Sequence, residues 1–169
     1  AARRASETTA ENALFNENLA ALNANDASGA AALIKEAADS SRLRESILFE
    51  QAHYAAKRMA PQAAELLAKF ITLAETPALK TQARLDQAEV ALNLNPPDLE
   101  TVQAILPLLE KEQLSPEQTM QLARLNILEA ESRQEWPNAI QSCRRAIALD
   151  SEGKQADMLY LKLGELLYK

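Results

Sequence analysis

The chain of 169 residues carries 18 Lys and Arg against 24 Asp and Glu, a formal charge of −6, which excludes the broad basic surface a nucleic-acid grip requires. With 47% hydrophobic and 25% charged residues it has the make-up of a folded globular chain, and no apolar run approaches the roughly 18 residues of a membrane span. There are 33 Ala and 27 Leu against 7 Ile, 2 Val and 3 Gly, so straight-chain helix formers stand in place of strand formers and the predicted class is all-α.

Helix starts are read from Ser, Thr, Asp or Asn caps and from first-turn prolines, which satisfy or remove otherwise orphaned backbone N–H groups. In chain order they fall at Thr8 with Glu11 as a capping box, at Ser28 after the Asn25-Asp26 turn, and at Ser41 after Asp39-Ser40. Pro61, Thr76-Pro77 and Pro97 with Asp98 give the next three. Ser115, Pro116 and Gln118 supply cap, first-turn proline and N3 acceptor, Pro137 follows, and the last helix restarts near Lys154 after Gly153. Every other interval between successive starts, from 8 to 28, 41 to 61, 77 to 97 and 116 to 137, is 20 or 21 residues, about the length of one helix and its turn, while the intervals between them vary.

Apolar spacing agrees with these starts, because residues three and four apart share a helix face. Ala30, Leu33, Ile34 and Ala37 form one stripe; Leu66, Leu67, Phe70, Ile71 and Leu73 a broader one; Leu85, Ala88 and Leu92 a narrow one. Pro107, inside the run Ile105–Leu109, is expected to bend or split its helix and make the third hairpin irregular. Ala139, Ile140, Cys143, Ala146, Ile147 and Leu149 alternate small and larger groups, as close helix packing requires. The predicted organisation is a single domain over 1–169 of about nine helices: antiparallel hairpins at 8–40, 41–75, 76–114 and 115–150, then a terminal helix over 154–169.

The stretch Glu135-Trp136-Pro137-Asn138-Ala139 through Ala146-Ile147-Ala148-Leu149-Asp150 resembles the second helix of a tetratricopeptide repeat. It has an aromatic ahead of the helix, Ala139 and Ala146 seven apart, and a closing Leu149-Asp150, with Ser151 where the family has proline. Tyr160, Leu163-Gly164 and Leu167 are similar to the first helix of a following repeat, which in the family serves as a terminal cap. The likeness covers the last third of the chain. It implies a right-handed α-solenoid of about four helix pairs plus a capping helix. It also implies a concave groove, with Gln121, Arg124, Leu128, Glu131, Leu161 and Glu165 at the groove-facing positions. Leu128 and Glu165 stand where the family's carboxylate clamp needs Asn, so capture of a chaperone tail is not expected.

Catalytic and metal chemistry find little support. His53 has no Cys, His or paired carboxylate at ligand spacing and reads as an ordinary helix residue. Cys143 lies on an apolar stripe and reads as core, and Trp136 reads as a packing residue. Gly29, Gly153 and Gly164 are too far apart for a phosphate loop. Glu129, Glu131 and Glu135 read as a solvated face, and Arg42, Arg44, Arg144 and Arg145 as partners of local carboxylates. No enzyme, metal or cofactor is expected.

The start Ala1-Ala2-Arg3-Arg4, with no initiating Met and no apolar leader, reads as an excised piece or a processed product. One cysteine fits cytoplasm or periplasm equally. The functional expectation is a noncatalytic scaffold holding a protein or peptide in its concave groove, without nucleic acid or membrane insertion. The alternative is a spacer or self-assembly segment of a longer array, contacting through its end faces and self-associating through the terminal helix.

Overall fold

Helix formation follows the caps closely in the second half of the chain and less closely at its start. The computed structural model describes residues 2–24, 29, 32, 41–150 and 153–169. Among these are eight α-helices and no strand: α1 (Ala2–Asn23), α2 (Ser41–Lys57), α3 (Ala63–Leu73), α4 (Pro77–Leu92), α5 (Leu99–Leu109), α6 (Pro116–Ser132), α7 (Trp136–Leu149) and α8 (Ala156–Leu167). The fold is all-α, as expected. The helix predicted from Ser28 lies outside the described residues.

Thr8 and Glu11 do not open a helix: α1 already begins at Ala2, because the Ala, Arg and Glu of the first residues carry helix propensity through the predicted cap. Pro107 does not split α5 either. The helix runs through it and ends at Leu109, so the proline falls in the last turn and costs one backbone bond, to the carbonyl of the exposed Gln103. Ser115 behaves as read. Its side chain accepts from the Gln118 backbone N–H at 3.2 Å, while the Gln118 side chain accepts from Ser115 N–H at 3.0 Å. Asp98 caps α5, its carboxylate accepting from the Thr101 N–H and hydroxyl, and these bonds hold its pKa below the ordinary aspartate value.

The chain divides into two compact units, residues 1–83 and 84–169, with the boundary inside α4. In the first unit α1 packs on α2 and α2 on α3. Ile47 and Ala52 of α2 and Ala63, Leu67 and Phe70 of α3 are buried, and the Phe49 and Phe70 rings meet at 5.5 Å. Leu14 and Phe15 of α1 pack on Leu43 and Ile47. One long-range cap ties the unit together: the Glu45 carboxylate on α2 accepts from the N–H of Glu75 (2.8 Å) and Thr76 (2.7 Å) and from the Thr76 hydroxyl (2.7 Å), at the head of α4. Burial acts to raise the Glu45 pKa, but the bonds from Thr76 and Glu75 outweigh it and leave the carboxyl below its ordinary value.

In the second unit α6 is shared by two cores. Leu122 and Leu125 join Leu85, Ala88 and Leu92 of α4 and Val102, Ile105, Leu106 and Leu109 of α5. Ala123, Ile127 and Ala130 join Ala139, Cys143 and Ala146 of α7 and Leu159 and Leu166 of α8. The α2–α3 and α6–α7 turns are built alike. Met59 (φ 49°) and Gln134 (φ 59°) adopt the left-handed conformation, Ala60 and Glu135 donate back to the carbonyls of Ala55 and Ala130, and Met59 and Gln134 donate to those of Ala56 and Glu131. This is the Schellman closure, made here with residues that carry a Cβ.

Two consequences can be measured. Gln134→Gly removes the left-handed penalty in an exposed turn and is expected to raise stability by about 0.5–1 kcal/mol in denaturant unfolding; a loss would contradict the strained turn. Glu45→Gln is expected to lower the thermal midpoint by a few degrees at neutral pH. Because the folded-state pKa is depressed, the stabilisation is present above the ordinary glutamate value and lost as pH falls through the folded one. The two proteins should therefore converge in acid, and a constant gap down to low pH would refute this role for the carboxylate.

Candidate functional site

The four candidate residues of α6 occupy the strip that its two cores leave uncovered. Leu122 and Leu125 turn toward α4 and α5, and Ala123, Ile127 and Ala130 toward α7 and α8, so a third side remains, carrying Arg124 and Leu128, both exposed. Gln121 and Glu131 flank that strip and are half-buried. Gln121 Nε2 donates to Glu89 Oε2 of α4 at 3.0 Å. Glu131 Oε1 lies 2.8 Å from Lys162 Nζ of α8. The edges of the strip are thus bonded sideways to the neighbouring helices, and its middle faces solvent.

On α8 the candidate Leu161 is 67% exposed, and Glu165 is exposed with one carboxylate oxygen 3.6 Å from Lys162 Nζ. Lys162 therefore sits between a carboxylate of α6 and one of its own helix. Burial acts to lower its pKa, but the Glu131 hydrogen bond and the charges of Glu131 and Glu165 prevail and raise it, so the ammonium is held more firmly charged than a free lysine. Neither Lys162 nor Glu89 was singled out from sequence. Lys162 carried one local signal, its i,i+3 spacing to Glu165; the partners Glu131 and Glu89 stand 31 and 32 residues from theirs, beyond any helix periodicity.

Cys143 is fully buried, its thiol donating to the Leu159 carbonyl at 3.3 Å. Burial pushes its pKa up; the Lys162 charge opposes and the Glu131 charge adds. Such a thiol is a packing group in the chemical sense expected. Trp136 is half-buried against the α6–α7–α8 core, with Lys169 Nζ 5.9 Å from its ring centroid. His53 is half-buried and stacks on Phe49 at 5.4 Å. Of the three glutamates read as a solvated face, Glu129 and Glu135 lie 3.0 and 3.4 Å from the Arg133 guanidinium, and Glu131 is the one recruited by α8.

A cavity of about 320 Å³ opens elsewhere in this unit, between the end of α5, α6 and α7. Leu109, Leu114 and Leu122 line it with Asn126, Ser142, Arg145, Glu110 and Glu112, and Glu112 is ion-paired with Arg84. None of the six candidate residues reaches it. Among the described residues no group of His, Cys, Asp and Glu is arranged to hold a metal ion, and no helix is long and apolar enough to cross a membrane. Searches of protein-family models, curated proteins and solved structures returned no match to this chain.

The burial of Cys143 predicts slow labelling: a thiol-specific reagent should react with the native chain at least about a hundredfold more slowly than with the denatured one. A native rate near that of a free thiol would place Cys143 at an accessible site.

Proposed function

We propose that this chain is a noncatalytic interaction domain, built as a right-handed tetratricopeptide-like solenoid, that holds a peptide or partner helix against the strip running over α4, α6 and α8. One observation carries the reading. α6 is bonded to α4 through Gln121–Glu89 and to α8 through Lys162–Glu131, so alternate helices are joined in a row while Arg124, Leu128 and Leu161 stay uncovered. The shared Schellman turn of α2–α3 and α6–α7 supports a repeated hairpin unit, as does the placement of Ala139, Cys143 and Ala146 between neighbouring helices.

On this reading Leu128 and Leu161 supply the apolar contacts and Arg124 selects a carboxylate-bearing side chain, while Glu131 and Gln121 hold the wall together rather than meeting the ligand. The scaffold would need no cofactor. The test is selection of binders from a random peptide display library on the full chain, then titration of the selected peptide. Arg124→Glu and Leu128→Ala are each expected to weaken it by at least about tenfold, and Pro61→Ala, in the first unit, to leave it unchanged. Unaltered affinity in both α6 variants would remove the groove.

A further inference from the structure

The outward side of α8 is unusual in carrying both large apolar groups and a glycine. Leu159 and Leu166 are buried against α6 and α7, with Lys162 and Leu163 half-buried beside them. At about 100° per residue, Gly164 falls on the opposite side of the helix. Around it lie Tyr160 and Tyr168, four residues to either side, and Leu161 and Leu167, three residues to either side. Their exposures are 60%, 96%, 67% and 59%. At these four positions the outward face is the same read in either direction from Gly164; Asp157, also outward, lies beyond them.

Gly164 is not required by the chain's own packing. A Cβ built there meets nothing within 4 Å, and its φ is not in the left-handed range. A glycine in a helix interior weakens the helix, and nothing in the packing described requires one at this position.

We propose that this face binds α8 of a second copy of the chain, antiparallel, with the two-fold axis through Gly164. Such an axis brings Tyr160 against Tyr168 and Leu161 against Leu167 of the other copy, each contact occurring twice, which is the condition a two-fold interface imposes. The mirror order of the face meets that condition with identical residues, a property that binding an unrelated partner would not demand. Glycine at the crossing point lets the backbones come close enough for the flanking tyrosines and leucines to interdigitate. The exposed parts of these four side chains offer on the order of 500 Å² per copy, so the pair reaches the roughly 1,000 Å² at which specific interfaces begin. The tyrosine hydroxyls stay at the wet edge. The proposal rests on α8; it shares Leu161 with the proposed groove, whereas Arg124 and Leu128 of α6 lie outside it.

Sedimentation of the full chain over a wide concentration range is expected to show a reversible monomer–dimer equilibrium. Gly164→Leu should weaken the dimer by at least about tenfold while leaving the monomer's thermal midpoint unchanged or higher, since the new side chain meets open space within the chain. Tyr160→Cys chains mixed with Tyr168→Cys chains should cross-link to each other on oxidation in preference to themselves; native Cys143 is buried and does not compete. Arg124→Glu, on α6, should leave the dimer intact. A monomer at every concentration, a dimer indifferent to Gly164→Leu, preferential linkage of Tyr160→Cys chains to one another in place of the mixed product, or a dimer lost with Arg124→Glu would each overturn the proposal.

Discussion

The second unit rests on the close approach of three helices over small side chains. Ala139, Cys143 and Ala146 on α7 have no exposed surface, and Ala130 on α6 has almost none. Each buries little area by itself. Their value is that they let α6 and α8 come near enough for Ile127, Leu159 and Leu166 to lose their water, and full burial of such side chains is worth about 1.5–3 kcal/mol each. The ion pairs around them are partly exposed and belong to a class worth about 0–1 kcal/mol. The seam therefore holds the helices and the charges choose their register. With α8 seated on Leu159 and Leu166, Lys162 can meet Glu131 and the opposite face of the helix must point away.

The first unit uses a different chemistry for the same end. Its packing relies on rings and long aliphatics, Phe49, Phe70, Ile47 and Leu67, and on a buried polar contact in which Gln51 Nε2 donates to Asn18 Oδ1 at 2.9 Å. Asn18 Nδ2 and the Tyr54 hydroxyl are buried without a partner among the described residues. The Arg58 guanidinium lies 4.6 Å from the Tyr54 ring centroid.

What the sequence disclosed divides by range. The capping box at Ser115, Pro116 and Gln118 was legible because its partners lie within one helical turn. The stripe Leu85, Ala88 and Leu92 was legible because burial repeats with the helix period, and all three are buried. Thr8 misled because a cap residue is also tolerated inside a helix when its neighbours favour helix. The Glu45 cap on Thr76 could not be read, since 31 residues separate donor from acceptor and a glutamate in a helix has no distinguishing local sign. The last helix shows the same limit in miniature. Gly153 marked the break, but the start is set by Asp150, whose carboxylate accepts from the N–H of Lys154 and Gln155 and carries the onset to Ala156.

The candidate strip was placed by resemblance, and its chemistry is decided by contacts no spacing reveals. Gln121 and Glu131 look in sequence like ligand-facing polar groups. Both are bonded to neighbouring helices, Gln121 to Glu89 and Glu131 to Lys162. Among the six candidate residues that leaves one cation, Arg124, amid leucines, in a chain whose overall charge is −6. A lone guanidinium beside apolar side chains favours an occupant with a carboxylate next to a hydrophobic group, because burial strengthens that pair while the surrounding negative charge repels bulk acidic chains. On the proposed reading, specificity would come from the spacing between one charge and one apolar contact, and that spacing would be set by how α6 is held between its neighbours.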